Sequence, residues 1–414
     1  MFCKEMIFEM RKSVLGNGLT VFTQQTSSEF VTVNVSVNAG AANEPDGKRG
    51  VAHLAEHMLF KGTTTRSAAD VNYALKPYGG YTNAYTAQFS TVYNCTILSE
   101  YIVNAVELLA DMIYNNTIPA DEFDRERNVV CEEMKMYNDL PNSRCYDLVT
   151  STVFANYPNR MNVGGTVETV SKLAREDVVA FVDTNYVPTN MTVFIVGDVD
   201  HDVAVAIVNE HMGGYQLTDA ISSRAQIDVD KLVVADVSDE MNVSQDTMTM
   251  YTLKMTTPTL RDMLLQSLSE GILGSDLGSR LGKVREEYGY CYSIGLSIDT
   301  FDQLEIAMIT LSLNEANVEN AQVVIREIVN EAVLNGVTED EFKCAKVNTI
   351  SEVKKLFETP WDATRLVMRL GEFGLYVDLQ AYEDELEKIT IDDVNNYLKA
   401  ILGGELAVAI VKSK

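Results

Sequence analysis

The sequence predicts an α+β protein built from two copies of one fold, each a mostly antiparallel sheet covered by helices. Three observations carry this. The segment Lys172-Leu173-Ala174-Arg175-Glu176-Asp177-Val178 returns in character as Lys388-Ile389-Thr390-Ile391-Asp392-Asp393-Val394, and each copy leads to an apolar run, Met191 to Val196 and Leu406 to Val411. A helical pattern from Asn104 to Tyr114 runs through a turn into Asp121-Glu122-Phe123, and one from Asn320 to Val333 runs into Asp340-Glu341-Phe342. The matches keep nearly one offset, 215 to 219 residues, across several segments of a 414-residue chain.

Taken in order, Val31-Thr32-Val33-Asn34-Val35-Ser36-Val37 alternates with period two and reads as a half-buried strand. The breakers Pro45-Asp46-Gly47 then precede a helical pattern that begins near His53. Gly79-Gly80-Tyr81-Thr82-Asn83-Ala84-Tyr85-Thr86 alternates again, in a segment ending near Cys95, and the patterns from Asn104 to Tyr114 and Asp121 to Tyr137 are helical. In the second copy Thr247-Met248-Thr249-Met250-Tyr251-Thr252-Leu253 repeats the strand of residues 31–37. The expected division is therefore residues 1–215, a polar linker at 216–230, and 231–414, two halves of about 200 residues each, within the usual domain range.

Composition narrows the function. Sixty acidic against 33 basic residues give a net charge of −27, a field that repels nucleic acid and anionic membranes and favours basic or neutral peptides. Acidity also serves solubility alone. The six cysteines (Cys3, Cys95, Cys131, Cys145, Cys291, Cys344) lack CxxC spacing, which points away from a disulfide framework or a thiolate zinc site and toward a reducing compartment. No apolar run approaches the roughly 20 residues that cross a bilayer. The start, Met1-Phe2-Cys3-Lys4-Glu5-Met6, turns acidic too early for a targeting peptide, so the expected location is cytoplasmic.

Only four histidines occur, and two of them stand in His53-Leu54-Ala55-Glu56-His57. On a helix, positions i and i+4 share a face, so both imidazoles can address one metal ion, with Glu56 beside them. The same residues also make an ordinary solvated helix face, and a third ligand has to decide. The segment from Asp121 to Tyr137 offers Glu122, Glu126, Glu132 and Glu133. At 100° per residue, Glu122, Glu126 and Glu133 fall within about 40° of one another, while Glu132 is rotated away. Such glutamates more often form a charged outer face, which periodicity alone leaves open.

Gly50-Val51-Ala52-His53-Leu54-Ala55-Glu56-His57-Met58-Leu59-Phe60-Lys61-Gly62-Thr63 resembles, almost residue for residue, the signature of the pitrilysin and insulysin metallopeptidases with the inverted HxxEH motif. That family includes mitochondrial processing peptidases, whose β subunits the chain resembles, and small bacterial two-domain members. The resemblance runs from Leu15-Gly16-Asn17-Gly18-Leu19-Thr20-Val21 to the last strand. It implies a clamshell whose first half is catalytic and whose second half lacks zinc, with hydrolysis of unfolded peptides inside a closed chamber. The family's third ligand lies about 76 residues beyond the second histidine, which here is Glu133. By the same resemblance, one Zn2+ per chain is held by His53, His57 and Glu133, Glu56 is the general base, and Glu126 is a supporting carboxylate.

The resemblance also makes Asn83, Ala84 and Tyr85 part of an edge strand that adds the substrate as a further strand, with Tyr85 favouring an apolar or aromatic side chain after the scissile bond. In Leu277-Gly278-Ser279-Arg280-Leu281-Gly282-Lys283-Val284-Arg285-Glu286-Glu287-Tyr288-Gly289-Tyr290-Cys291-Tyr292-Ser293 it matches the family's arginine and tyrosine to Arg285 and Tyr292. There they are expected to bind the substrate backbone and the developing oxyanion. The second half holds no histidine and cannot repeat the zinc site, while His201 and His211 are expected at the surface. The expected activity is a zinc endopeptidase acting on peptides, as a homodimer or as a heterodimer with a related subunit. The rival expectation is a non-catalytic peptide-binding or partner subunit, against which stands the intact set of motif residues.

Overall fold

A computed structural model describes residues 10–157, 162–216, 228–274, 278–375 and 377–414. Most of the expected linker at 216–230 and the start at Met1 to Met6 lie outside these residues, as does Leu277 of the second-half motif. The described chain forms two compact units, each around its own sheet.

The first unit holds β1 (Met10–Val14), β2 (Thr20–Gln25), β3 (Phe30–Val37), β4 (Tyr81–Thr86), β5 (Thr91–Leu98) and β6 (Met191–Gly197) in the order β1-β2-β6-β3-β5-β4. β2 and β6 run parallel and every other pair antiparallel. Because side chains alternate along a strand, Val31, Val33, Val35 and Val37 of β3 enter one core with Tyr93, Cys95, Ile97, Val193 and Ile195. The helices Val51–Leu59 and Ile102–Tyr114 cover that face. The opposite face puts Phe22, Val92 and Phe194 against Val367 and Met368 of the helix Pro360–Glu372. Burial on both faces explains why β6 reads as a continuous apolar run rather than an alternating one.

The second unit holds β7 (Val237–Met241), β8 (Asp246–Met255), β9 (Cys291–Phe301), β10 (Leu304–Leu313) and β11 (Ala407–Ser413) in the order β7-β11-β8-β10-β9, with β7 and β11 parallel and the rest antiparallel. Read as copies, β7, β11, β8, β10 and β9 take the places of β2, β6, β3, β5 and β4, so the offset seen in the chain is an offset between two sheets of one strand order.

The compact units do not follow the chain division at 216–230. Residues 136–161 belong with the second sheet and residues 354–380 with the first. The helix Pro141–Val153 packs Cys145, Leu148, Val149 and Val153 on Tyr251, Ile306, Met308 and Val411, just as Pro360–Glu372 packs on the first sheet. Each half thus lends one helix to the other unit's sheet. A strand-and-helix pattern read locally cannot reveal this, because an amphipathic helix shows its apolar stripe whichever sheet it covers. Among the described residues no helix is long and apolar enough to cross a membrane, and the five described cysteines are free.

Candidate metal centre

The helix Val51–Leu59 carries the HxxEH residues in the first unit. Val51, Ala52, Leu54, Ala55, Met58 and Leu59 are buried completely, which fixes the helix's rotation and turns His53, Glu56 and His57 to one side. Its start has no side-chain cap from its own N-cap residue, Gly50. Gly50 sits at φ +89°, and a Cβ there would lie 2.7 Å from the Gly164 carbonyl oxygen and 2.6 Å from Val170 Cγ2. The first-turn N–H groups, which have no partner inside a helix, are met from outside by Glu44. Its side-chain oxygens accept from Gly50 N–H at 2.9 and 3.0 Å and from Ala52 N–H at 3.0 Å. Glu44 is 4% exposed. Burial pushes its pKa up to about 8 against the opposing pull of those backbone N–H bonds.

The helix Ala120–Asn138 supplies the acids. Glu133 Oε2 lies 3.4 Å from His57 Nε2 and 3.8 Å from His53 Nε2. His53, His57 and Glu133 each offer one ligand atom, and these atoms fall within 4.8 Å of one another, close enough to surround one ion. The two rings meet edge to face at 4.7 Å. Glu126, one turn pair earlier on the same helix, accepts from His57 Nδ1–H at 2.8 Å, and its other oxygen lies 2.5 Å from Lys61 Nζ. Holding the proton on Nδ1 leaves the Nε2 lone pair for a metal. Glu132 faces outward and pairs with Lys135, as its rotation predicts.

Electrostatics fit a cation. Burial, and then the neighbouring His57, lower the His53 pKa to about 4, so its imidazole is neutral and can donate a lone pair. Burial works against protonation of His57, but the hydrogen bond that it donates to Glu126 and the charges of Glu56, Glu126 and Glu133 raise its pKa. Burial would raise Glu126, yet its bonds to His57 and Lys61 bring it below the ordinary carboxylate value. Two imidazoles and a carboxylate, with further carboxylates behind, are the hard-to-intermediate donor set that zinc takes in catalytic sites.

Glu56 points from the same helix and is nearly buried; burial raises its pKa even though the Thr86 hydroxyl donates to its Oε2 at 2.6 Å. Thr86 ends β4, an edge strand paired only to β5 among the described strands. Along β4, Tyr81, Asn83 and Tyr85 are exposed, while Thr82, Ala84 and Thr86 turn inward. In the second unit, Arg285 of the short helix Lys283–Glu286 places its guanidinium 4.8 Å from the centroid of Tyr292, at the start of β9, an edge strand of the second sheet. Tyr292 is 83% exposed.

His201 corrects the sequence reading. It is 6% exposed, with Nε2 2.8 Å from Ser13 Oγ and Nδ1 2.7 Å from Thr23 Oγ1. A histidine with both ring nitrogens satisfied is buried at little cost, and the pattern of a helix start at Asp200 gives no hint of those hydroxyls. His211 is half-buried. Sequence reasoning also passed over Glu44 and Lys61. The missing N-cap at Gly50 was the available signal for Glu44, since some acceptor had to meet those amides. Lys61 stands inside the signature quoted above, but nothing local assigned it a role.

Residues 20–167 match the family described as Insulinase (Peptidase family M16), and residues 172–348 match Peptidase M16 inactive domain. An uncharacterized zinc protease of Mycobacterium leprae (ML0855) is 28% identical over 411 residues, covering 97% of this chain and 91% of the relative. The mitochondrial-processing peptidase subunit beta of Bos taurus is 32% identical over 205 residues, 50% of this chain and 42% of that protein. The crystal structure of a protease from Helicobacter pylori shares the fold at a TM-score of 0.86 and 20% identity, covering 98% of this chain and 99% of the other.

Proposed function

The chain belongs to peptidase family M16, and from that premise we infer that it is a zinc-dependent endopeptidase that hydrolyses unfolded peptides. The observation that supports this most is the convergence of His53, His57 and Glu133 around one point, with the buried Glu56 on the same helix. One zinc ion per chain, held by those three side chains, would polarise the scissile carbonyl and make water nucleophilic at neutral pH.

The protein's own groups account for the rest. Glu126 keeps the His57 proton on Nδ1. Glu56 takes the proton of the attacking water and passes it to the leaving amine, a role that suits a carboxyl whose pKa burial raises. Thr86 holds Oε2 of Glu56, which leaves Oε1 for that transfer. The outer edge of β4, which pairs with no other described strand than β5, suits an extended substrate, whose backbone would pair there with little regard to sequence while the outward Tyr81, Asn83 and Tyr85 meet its side chains. A folded protein rarely offers such a strand, so unfolded chains are the expected substrates. We assign Arg285 and Tyr292 to the substrate backbone and oxyanion; the family motif and the exposure of Tyr292 support this. The charge of −27 favours basic or neutral peptides.

The test compares wild type with Glu56→Gln for zinc content and cleavage of an unfolded peptide. Wild type should hold about one zinc, as a single catalytic site requires, and cleave. Glu56→Gln should keep the metal and lose cleavage. Zinc without cleavage in wild type would turn the assignment to a peptide-binding subunit, and no zinc under metal-replete conditions would remove it.

A further inference from the structure

We propose that Lys61 is a positioning residue that holds Glu126, and through it the His57 imidazole, in the orientation that binds zinc; the proposal rests on the zinc reading above.

The geometry is a chain of three groups. Glu126 is buried, and its two oxygens are divided: Oε1 receives His57 Nδ1–H at 2.8 Å, and Oε2 lies 2.5 Å from Lys61 Nζ. A carboxylate tied at one oxygen only can rotate about its last bond. Tied at both, it cannot, and the ring it supports is held as well. The Lys61 side chain is itself mostly covered, so the pair is screened less than a surface ion pair.

Lys61 is placed by covalent neighbours that are themselves clamped. It lies four residues beyond His57, just past the end of the helix, with its N–H bonded to the Met58 carbonyl at 3.1 Å. The next residues turn at Gly62, φ +137°, into a loop tied to the buried Asp111. Asp111 Oδ2 receives the hydroxyls of Thr63 at 2.7 Å and Thr65 at 3.0 Å, and Arg66 Nη1 at 2.6 Å. Arg66 also donates to Glu107 at 2.9 Å. The run Lys61-Gly62-Thr63-Thr64-Thr65-Arg66 therefore fixes where the ammonium sits. Without that charge, Glu126 would be a buried anion with one imidazole donor, a state that proteins relieve by moving or neutralising the group. Either response loosens His57.

Zinc affinity is measured with zinc alone, by competition against a chelating fluorophore, for wild type, Lys61→Met, Lys61→Arg, Glu126→Gln and the Lys61→Met/Glu126→Gln double variant. Metal-free thermal melts serve as the check on folding. Lys61→Met should weaken zinc binding by about 10–100-fold, the range for a group behind a ligand, and Lys61→Arg should recover most of that loss. In the Glu126→Gln background Lys61→Met should add less than about twofold, because two residues on one path are not additive. If Lys61→Met does not fold, Lys61→Gln takes its place in the same cycle. Unchanged affinity in Lys61→Met, or an equal loss in both backgrounds, would overturn the proposal. The His57 ring resonances in metal-free, histidine-labelled protein decide it separately: they should shift in Lys61→Met and return in Lys61→Arg. An unshifted ring counts against the proposal even if wild type takes up no zinc, an outcome that would sink the peptidase reading instead.

Discussion

Replacing Glu44 tests whether the helix that carries both histidines is held from outside. In Glu44→Ala the amides of Gly50 and Ala52 lose their acceptor inside a buried site. A lost cap costs about 1 kcal/mol, and each buried N–H left unsatisfied about 1–3 kcal/mol. Partial relaxation makes about 3 kcal/mol a reasonable total for Glu44→Ala. Glu44→Gln keeps a carbonyl oxygen in the same place and should cost about 1 kcal/mol. The sign of the pH dependence is opposite to the usual one for a carboxyl. The folded-state pKa is raised to about 8 from 4.5, so the stability linked to this group is fully present below pH 4.5 and is lost as pH rises toward and through 8. Glutamine does not ionise, so the stability gap between wild type and Glu44→Gln should narrow as pH rises across that window. Urea denaturation of the metal-free proteins at several pH values reads this directly, with a midpoint change at constant slope. A gap that widens with pH would mean that the backbone N–H bonds outweigh burial and that Glu44 is an anion in the fold. A Glu44→Ala cost below about 0.5 kcal/mol, the level of an ordinary surface change, would refute the capping argument.

Three further outcomes are expected. Thr86→Val should lower kcat by about 10–100-fold, the worth of a hydrogen bond to a charged group, with KM and zinc content unchanged, and Thr86→Ser should restore it; equal kcat in all three would remove Thr86 from the site. Glu133→Gln should abolish tight zinc binding while leaving the metal-free melt within about 0.5 kcal/mol, because its side chain is partly exposed; retained stoichiometric zinc would show that another group is the third ligand. In the second unit, the Arg280 guanidinium holds the Glu341 carboxyl down to about 2. That stabilisation is present above pH 4.5 and is lost as pH falls toward 2, so Arg280→Ala should cost about 1–2 kcal/mol at pH 7, discounted for partial exposure, and little at pH 2 by acid titration of stability; an equal cost at both pH values would refute the ion-pair account.

Much of this architecture is legible along the chain. The alternation in Val31 to Val37 and in Thr247 to Leu253 is the alternation of β3 and β8, and the offset of the repeated segments is the correspondence of the two sheets. The i, i+4 spacing of His53 and His57, and the shared face of Glu126 and Glu133, are also local facts, because a helix fixes the direction of each side chain by its position alone.

What the chain does not carry is who meets whom across it. Periodicity put Glu126 and Glu133 on one face; only the approach of two helices sets Glu133 before both imidazoles and Glu126 behind one of them. The sequence assigns no role to Glu44 or Lys61 and leaves His201 as a surface residue, since nothing adjacent records the amides, the carboxylate or the hydroxyls that they meet. The lent helices Pro141–Val153 and Pro360–Glu372 show the same limit. Local pattern is set by backbone geometry and holds in any context, whereas burial and partnership are properties of the packed chain, where residues hundreds of positions apart supply the missing donor, acceptor or apolar face.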